Sequence, residues 1–254
     1  MKKNKSLRAA AILLALTLIT TSIISGTFAN YVTKGEGNGT ARTAKWGIKI
    51  AVTGDELFDN QYTGTDNAVT VSSQANPVDK VVAPGTQTKE GKGLHIVVNG
   101  TAETSFSLAV SMTGLQDVYL EKGKNYDDYT KFKEENGSLV PDGTFTFSDA
   151  DYYPVKYTLT DRKTNTKVVD AGSLTQVQTT LNALTRNYAP GSSVDIDYML
   201  TWAWEFNGTT NADGTFTLTL KKDTVLGAAA NGASITGAHT TIAYTLSVTA
   251  TQID

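Results

Sequence analysis

The chain contains no cysteine and only two histidines, His95 and His239. The lack of cysteine excludes disulfides, thiol catalysis, iron–sulfur clusters and zinc sites made of cysteine. The two histidines lie far apart in the sequence, and neither belongs to a His-Glu-x-x-His motif, so this signature of a catalytic zinc site is missing. We predict that His95 is a solvent-facing residue of a strand and that His239 lies in a loop.

Motifs for nucleophilic catalysis and phosphate binding are also missing. No Gly-x-Ser-x-Gly occurs, and the glycines of segment 35–39 have the wrong spacing for a phosphate loop, so we interpret them as a flexible linker. Two carboxylate pairs, Asp149 with Asp151 and Asp195 with Asp197, could bind calcium or serve as acid and base. Solvated charges on the outer face of a strand are the simpler interpretation. We therefore expect no enzyme activity, no metal and no cofactor.

Positive charge is scarce, with 22 Lys and Arg against 25 Asp and Glu in 254 residues. Four of the basic residues, Lys2, Lys3, Lys5 and Arg8, lie at the N-terminus. Removal of that terminus would leave a chain that is more acidic still. This balance argues against a nucleic-acid partner, which needs a basic surface, and against adhesion to anionic lipid.

One long apolar run, from 9 to 24, follows this basic terminus. Thr27-Phe28-Ala29 then supplies a small-x-small cleavage signal, so residues 1–29 are predicted to be a helical secretory signal peptide that is cut between Ala29 and Asn30. A retained membrane anchor is the alternative, because the uncharged stretch is long enough to cross a bilayer. The threonines and serines in its second half favour cleavage. We expect a secreted or cell-surface protein that contacts the membrane only through the uncut signal peptide.

Alternation of apolar and polar residues dominates the rest of the chain and predicts strands with one buried face. Such strands must pack their apolar faces against each other, so we predict an all-β, jelly-roll-like antiparallel β-sandwich. Five Asn-Gly or Asp-Gly dipeptides, at 99, 136, 142, 207 and 213, are predicted turns. The alternating runs are Trp46-Ile48-Ile50-Val52, Leu94-Ile96-Val98, Phe106-Leu108-Val110-Met112, Tyr153-Val155-Tyr157-Leu159, Leu200-Trp202-Trp204-Phe206, Phe216-Leu218-Leu220 and Ile242-Tyr244-Leu246-Val248.

One short helix is predicted over about 174–187. Ser173 and Gln176 form a capping-box pair, and apolar residues then recur at helical spacing. The predicted organisation is a flexible N-terminal arm over 30–45, followed by a single β-sandwich domain over 46–254. Within that domain, the charged segment around 115–140 is interpreted as a solvated insert with at most a short helix.

Four large aromatic residues, Trp46, Trp202, Trp204 and Phe206, are predicted to belong to the core. The last three share one strand face with Leu200, and four large apolar groups in a row are typical of a buried face. The alternative is that Trp202 and Trp204 form an exposed platform on which sugars stack. That alternative corresponds to a module that binds cell-wall glycan or a host surface.

The signal-peptide junction Gly26-Thr27-Phe28-Ala29-Asn30-Tyr31 resembles that of the TasA/camelysin family of exported Gram-positive proteins. A dedicated signal peptidase of the SipW type cuts the precursors of that family. Short similarities extend in the same order over most of the chain: Ala41-Arg-Thr-Ala-Lys-Trp46-Gly47, Val82-Ala-Pro-Gly85-Thr86, Tyr188-Ala-Pro-Gly191, Thr201-Trp-Ala-Trp204-Glu-Phe206, Asp223-Thr-Val-Leu226-Gly227 and Val248-Thr-Ala-Thr-Gln252.

The resemblance implies a structural protein of the biofilm matrix that assembles into fibres. In such fibres the N-terminal segment of one subunit completes the sheet of the next, which here makes Asn30, Tyr31, Val32 and Thr33 the candidate donor strand. The implied partners are further copies in head-to-tail order, related matrix proteins and, during export, the signal peptidase. The resemblance also leaves a camelysin-like metal-dependent protease as an alternative, although no metal-ligand set can be matched to residues of this chain.

Overall fold

The computed structural model describes residues 42–54, 57–62, 71–72, 80–206 and 217–253. The chain divides into two compact units, Met1–Thr43 and Ala44–Asp254. All strands and helices named below belong to the second unit. The predicted signal peptide with its cut between Ala29 and Asn30, and the candidate donor residues Asn30, Tyr31, Val32 and Thr33, lie outside the described residues.

The described residues form 17 strands and two helices. In chain order these are β1 (Lys49–Thr53), β2 (Gln61–Tyr62), β3 (Val71–Ser72), β4 (Thr86–Gln87), β5 (Leu94–Thr101), β6 (Phe106–Gln116), β7 (Tyr119–Leu120), β8 (Tyr126–Asp127), β9 (Phe132–Glu135), β10 (Ser138–Pro141), β11 (Thr144–Phe145), β12 (Val155–Asp161), β13 (Thr166–Gly172), α1 (Leu174–Asn182), β14 (Arg186–Tyr188), β15 (Ser193–Trp204), α2 (Leu218–Ala230), β16 (Ala238–His239) and β17 (Ala243–Gln252).

Two sheets carry the architecture, and the prediction of an antiparallel β-sandwich is confirmed. The larger sheet has the order β1-β5-β15-β12-β13, with β4 beside the end of β15. The smaller sheet has the order β14-β6-β17. The remaining described pairs are the short ladders β2–β3, β7–β16, β8–β11 and β9–β10, and every described pairing is antiparallel.

The core lies between the two sheets, where the alternating residues of the long strands meet. The inward rows of β5, β6, β12 and β15 are almost fully buried. Burying one such side chain is worth about 1.5–3 kcal/mol, so these rows are the main source of stability. They consist of Leu94, Ile96 and Val98; Phe106, Leu108, Val110 and Met112; Val155, Tyr157 and Leu159; and Val194, Ile196, Leu200, Trp202 and Trp204.

The predicted helix is present as α1, but it ends at Asn182 rather than near 187. Arg186–Tyr188 leave the helix and form β14, which pairs with the first residues of β6. A second helix, α2, occupies Leu218–Ala230, so the predicted strand through Leu218 and Leu220 is wrong. Thr217 caps this helix by accepting a hydrogen bond from the N–H of Leu220, and the helix buries Val225 and Leu226.

The segment 115–140 is not uniformly solvated and contains no helix. Its first half contributes Val118, Leu120 and Tyr126 to the core, whereas the hairpin β9–β10 is exposed. Asn136 and Gly137 form the hairpin turn, with φ angles of 54° and 77°, as predicted. Asn99-Gly100, in contrast, lies within β5.

A close approach of two backbone segments explains the glycine at position 100. A Cβ atom there would clash with the carbonyl oxygen of Gly47, and the residue has a φ of 130°. Gly47 donates its N–H to the carbonyl oxygen of Thr101 at 3.1 Å. Gly100 therefore allows the segment before β1 to lie against the end of β5.

Within the described part of the chain, no helix is long and apolar enough to cross a membrane.

Candidate functional site

One side of the sandwich is closed by α1. The helix begins behind Ser173, which accepts a hydrogen bond from the N–H of Gln176, while the Gln176 side chain accepts one from the N–H of Ser173. The apolar side chains of Leu174, Val177 and Leu181 are buried. The helix contacts β6, β12 and β13, so it covers the sandwich on the side where β13 ends the larger sheet.

Side chains of α1 and of the turn behind it also satisfy the backbone at the edge of β6. Thr185 accepts from the N–H of Val110 at 2.9 Å and donates to its carbonyl oxygen at 3.0 Å. Asn182 accepts from the N–H of Met112 at 2.8 Å, and the Gln178 amide donates to the Met112 carbonyl oxygen at 2.7 Å. These side chains replace the strand that would otherwise continue from β14. The edge of β6 is therefore closed to further strand pairing.

The opposite side of the sandwich is formed by β1 and β17. Cα atoms of these two strands approach within 8 Å. Among the described residues, each pairs with one strand only, β1 with β5 and β17 with β6. All five residues of β1 are exposed, including Ile50 and Val52. Both sheets therefore end on this side in a strand whose second edge has no described partner.

The register of β17 against β6 shows which backbone groups face outward. Val110 and Met112 direct their N–H and C=O groups toward the α1 side, and they stand opposite Val248 and Leu246. Such pairs are the non-hydrogen-bonded pairs of an antiparallel ladder. Leu246, Val248 and, two residues further, Ala250 must then direct their backbone groups away from β6. This outward row is the surface that could accept another strand.

The apolar row of β17 is only partly covered. Tyr244, Leu246, Val248 and Ala250 pack against the core but remain half-buried. On β6, one strand further in, Val110 is 3 % exposed and Met112 is 0 % exposed. The inward side chains of β17 are therefore less well covered than those of β6.

The sequence of β17 lacks the devices that usually protect an edge strand. Ala243–Gln252 contains no charged residue, no proline and no glycine. Edge strands of soluble proteins commonly carry lysine, proline or inward-pointing charges that prevent pairing with other chains. Ten uncharged residues at an edge are therefore suited to pairing with another strand.

The first residues of the second unit lead into β1 on this open side. Residues 42–45 have no regular secondary structure and are exposed. Lys45 donates its N–H to the Glu103 carboxylate at 2.8 Å, and Trp46 forms a bridge with Ala102. The last residues of β17 end nearby, where Ile253 donates its N–H to the Ser105 carbonyl oxygen at 3.1 Å.

The four aromatic residues predicted for the core divide into two pairs. Trp202 and Trp204 are buried, which confirms the prediction for them and removes them as an exposed sugar platform. Trp202 donates its indole N–H to the Leu57 carbonyl oxygen at 2.7 Å. The prediction is wrong for Trp46 and Phe206, which are 44 % and 53 % exposed. Trp46 precedes β1, and its ring meets the Phe106 ring in a T-shaped arrangement with centroids 6.0 Å apart. Phe206 lies beyond the end of β15.

Two carboxyl groups, the buried Asp223 and the half-buried Asp117, have raised pKa values. Burial raises the pKa of Asp223 on α2 to about 6, although the Tyr152 hydroxyl and the Trp204 indole N–H both donate to its Oδ1. Burial likewise raises the pKa of Asp117 to about 6, despite bonds from the Tyr157 hydroxyl and the Val118 N–H.

The two histidines lie apart from each other, and His95 contacts one member of a predicted carboxylate pair. His95 lies on β5 as predicted, with its Nε2 2.7 Å from Asp197 Oδ1. Asp195 is exposed and ion-paired with Lys163. His239 lies in β16 and not in a loop, so that prediction is wrong. Among the described residues, no group of three or more His, Asp or Glu side chains is arranged to hold a metal ion.

The sequence reasoning identified β17 as a strand but missed its position at an edge. The available signal was its composition, because the run from Ala243 to Gln252 is free of charge, proline and glycine. The side chains of Gln178, Asn182 and Thr185 were also missed as partners of β6, since their polar face carries no recognisable motif. No protein-family model, no curated protein and no solved structure matches this chain.

Proposed function

We propose that this chain is an exported structural protein of the extracellular matrix that polymerises by strand addition at β17. The observation that carries the proposal is the unprotected edge, in which Leu246, Val248 and Ala250 present backbone groups above a half-covered apolar row. An added strand forms ladder hydrogen bonds there and covers the apolar surface. The resemblance of the signal-peptide junction to the TasA/camelysin family supports export and assembly into fibres.

The proposed donor is the segment that begins at Asn30 and follows the signal peptide in another copy of the chain. Its apolar residues Tyr31 and Val32 are adjacent and point to opposite faces of an extended strand. One of the two side chains would therefore extend the inward apolar row of β17. A contact in which one copy donates and the next accepts does not close, so repetition produces a filament. Cleavage after Ala29 would release the donor from the membrane and make assembly possible.

Electron microscopy of two purified proteins tests this proposal. The protein that begins at Asn30 should form filaments, and the protein that begins at Trp46 should remain monomeric, because it lacks the donor. Monomers in both samples at all concentrations would contradict polymerisation. Filaments in both would show that the arm is not the donor.

A substitution at Ala250 tests the acceptor edge separately. Proline at this position removes one outward N–H without removing a bond to β6. Ala250→Pro should therefore abolish filaments, while the control Ala250→Val, which keeps the N–H, should form them. Normal filament growth by a folded Ala250→Pro protein would contradict the proposed edge.

Mass spectrometry of the secreted protein should find Asn30 as its first residue, and an intact N-terminus would contradict cleavage.

A further inference from the structure

A second surface feature, a cleft at the far end of the sandwich, has no role in strand addition. Its volume is about 710 Å³, which lies within the range of about 300–1,000 Å³ for small-molecule sites. It is bounded by the end of β6, by the start of α1 and by the chain around β16, in the regions of Gln116, Ser173 and Thr240. All of its described lining residues belong to the second unit of the chain.

Three aromatic rings form a row along one wall of the cleft. Tyr119 on β7 stacks on His239 with ring centroids 4.1 Å apart, and on Tyr153 with centroids 4.9 Å apart. The backbone produces this row, because His239 pairs with Tyr119 across the β7–β16 ladder and Leu120 bridges to Tyr152 on the other side. Tyr119 and Tyr153 are half-buried and His239 is exposed. The row therefore offers aromatic surface to a molecule in the cleft.

Polar groups without formal charge make up most of the remaining wall. Gln116 contributes an amide, and Thr175, Thr240 and Thr241 contribute hydroxyl groups that donate and accept hydrogen bonds. Asp117 accepts both of its described hydrogen bonds at Oδ1, which leaves Oδ2 for a ligand. Burial raises the pKa of the Asp117 carboxyl to about 6, so this group changes charge in weak acid.

Glu121, which lies beside the cleft, has partners of its own. Glu121 lies 3.2 Å from His239 Nε2 and 3.4 Å from Lys124 Nζ. The described lining residues include neither lysine nor arginine. A phosphate or sulfate group would therefore meet the Asp117 carboxylate without a lining cation to bind it. The site suits an uncharged molecule that has many hydroxyl groups and apolar C–H faces.

We propose that this cleft binds a short neutral oligosaccharide. The C–H face of a sugar ring would pack on the exposed aromatic surface of Tyr153 or His239. The sugar hydroxyl groups would bond to Asp117 Oδ2, to the Gln116 amide and to the threonine hydroxyls. The location differs from Trp202 and Trp204, which are buried, and the proposal does not depend on filament formation.

Titration calorimetry with oligosaccharides of matched length tests the proposal. The neutral probes are cellotetraose, maltotetraose and the tetramer of N-acetylglucosamine, and the anionic probe is the tetramer of galacturonate. At least one neutral probe should bind with a dissociation constant of about 1 mM or tighter, and the anionic probe should bind at least tenfold more weakly because the Asp117 carboxylate repels it. Failure of all three neutral probes, or tighter binding of the anionic probe, would overturn the proposal.

Variants locate the binding at the cleft. His239→Ala and Tyr153→Ala should each weaken the binding of the neutral probe by about tenfold. His239 is exposed, so its variant keeps the assay informative if Tyr153→Ala fails to fold. Phe132→Ala, which removes an exposed aromatic ring on β9, is the control and should bind normally. Unchanged affinity in a folded His239→Ala protein, or equal loss in Phe132→Ala, would refute the proposed location.

Discussion

Strand edges occur on two sides of the sandwich, the side that α1 covers and the side formed by β1 and β17. On both sides, backbone N–H and C=O groups at the edge need hydrogen-bond partners. On the first side, Thr185, Asn182 and Gln178 bond to the backbone of β6. On the second side, the outward backbone groups of β17 have no described partner of this kind. Among the described residues, side chains of this kind protect the edge on the α1 side and not the edge of β17.

The difference between the two sides is what the proposed function requires. Unprotected edges pair with other chains and cause aggregation, so proteins usually block them. Under the proposed function, the ten-residue edge of β17 carries no charge and no proline because it accepts a strand from another copy.

The closed side should respond most strongly to loss of core volume. Leu181→Ala on α1 should lower the free energy of unfolding by about 2–5 kcal/mol, because the side chain is fully buried. Leu246→Ala on β17 should cost less than half as much, because its side chain is half-buried. Urea unfolding of the monomeric protein that begins at Trp46 measures both values. Equal losses would show that β17 is as well covered as α1.

Removal of the side-chain bonds to β6 should turn the closed edge into a second open one. Thr185→Val keeps the shape of the side chain but leaves the N–H and C=O of Val110 without their partner, at a cost of about 1–3 kcal/mol. Light scattering should then detect added self-association, even in the protein that begins at Trp46. The exposed substitution Thr175→Val at the start of α1 is the control. A Thr185→Val protein with unchanged stability would contradict the protective role of Thr185.

The buried carboxyl of Asp223 should make stability depend on pH. Its pKa is raised to about 6 in the folded state, above the ordinary value of 3.8, so folding favours the protonated form. The free energy of unfolding should therefore be about 1 kcal/mol higher at pH 5 than at pH 7 because of this group. This contribution is lost as the pH rises through 6. Asp223→Asn should reduce this dependence, as urea unfolding at several pH values would show. Loss of stability between pH 7 and 5 would contradict this sign.

A charge on the outer face of β17 should affect assembly and barely affect folding. Ser247 and Ser111 stand opposite each other on β17 and β6, and both are exposed. Ser247→Lys and Ser111→Lys should each change the free energy of unfolding by less than about 0.5 kcal/mol. Ser247→Lys should slow filament growth more than Ser111→Lys, because lysine on an edge strand opposes pairing. Equal growth rates would weaken the assignment of the edge.

Much of the sandwich can be predicted from the sequence. Strict alternation in Phe106–Met112 and Leu200–Trp204 places the large apolar side chains on one face of a strand, and that face must be buried. The errors occur where alternation is too short or where tertiary packing decides the outcome. The alternating pattern that includes Leu218 and Leu220 is too short to specify a strand. The cap at Thr217 and the burial of Val225 favour a helix instead. The exposure of Trp46 depends on where β1 lies in the sheet order, which local sequence does not encode.

The candidate site was harder to predict for the same reason. Alternation gives β17 as a strand, but its place at an edge follows from the pairing of all other strands. The row of Tyr119, His239 and Tyr153 joins segments that are distant in sequence, because His239 on β16 lies 120 residues after Tyr119 on β7. No local spacing encodes such a contact. The cap at Ser173 and Gln176, in contrast, is local and was predicted correctly.

Amide hydrogen exchange in filaments and in monomers is the most direct test of strand addition at β17. In the monomer that begins at Trp46, the amides of Leu246, Val248 and Ala250 should exchange quickly, while those of Val110 and Met112 should be protected by Thr185 and Asn182. In filaments of the protein that begins at Asn30, the three β17 amides should become protected, with little change on the α1 side. Unchanged exchange at these three amides in assembled protein would contradict the account.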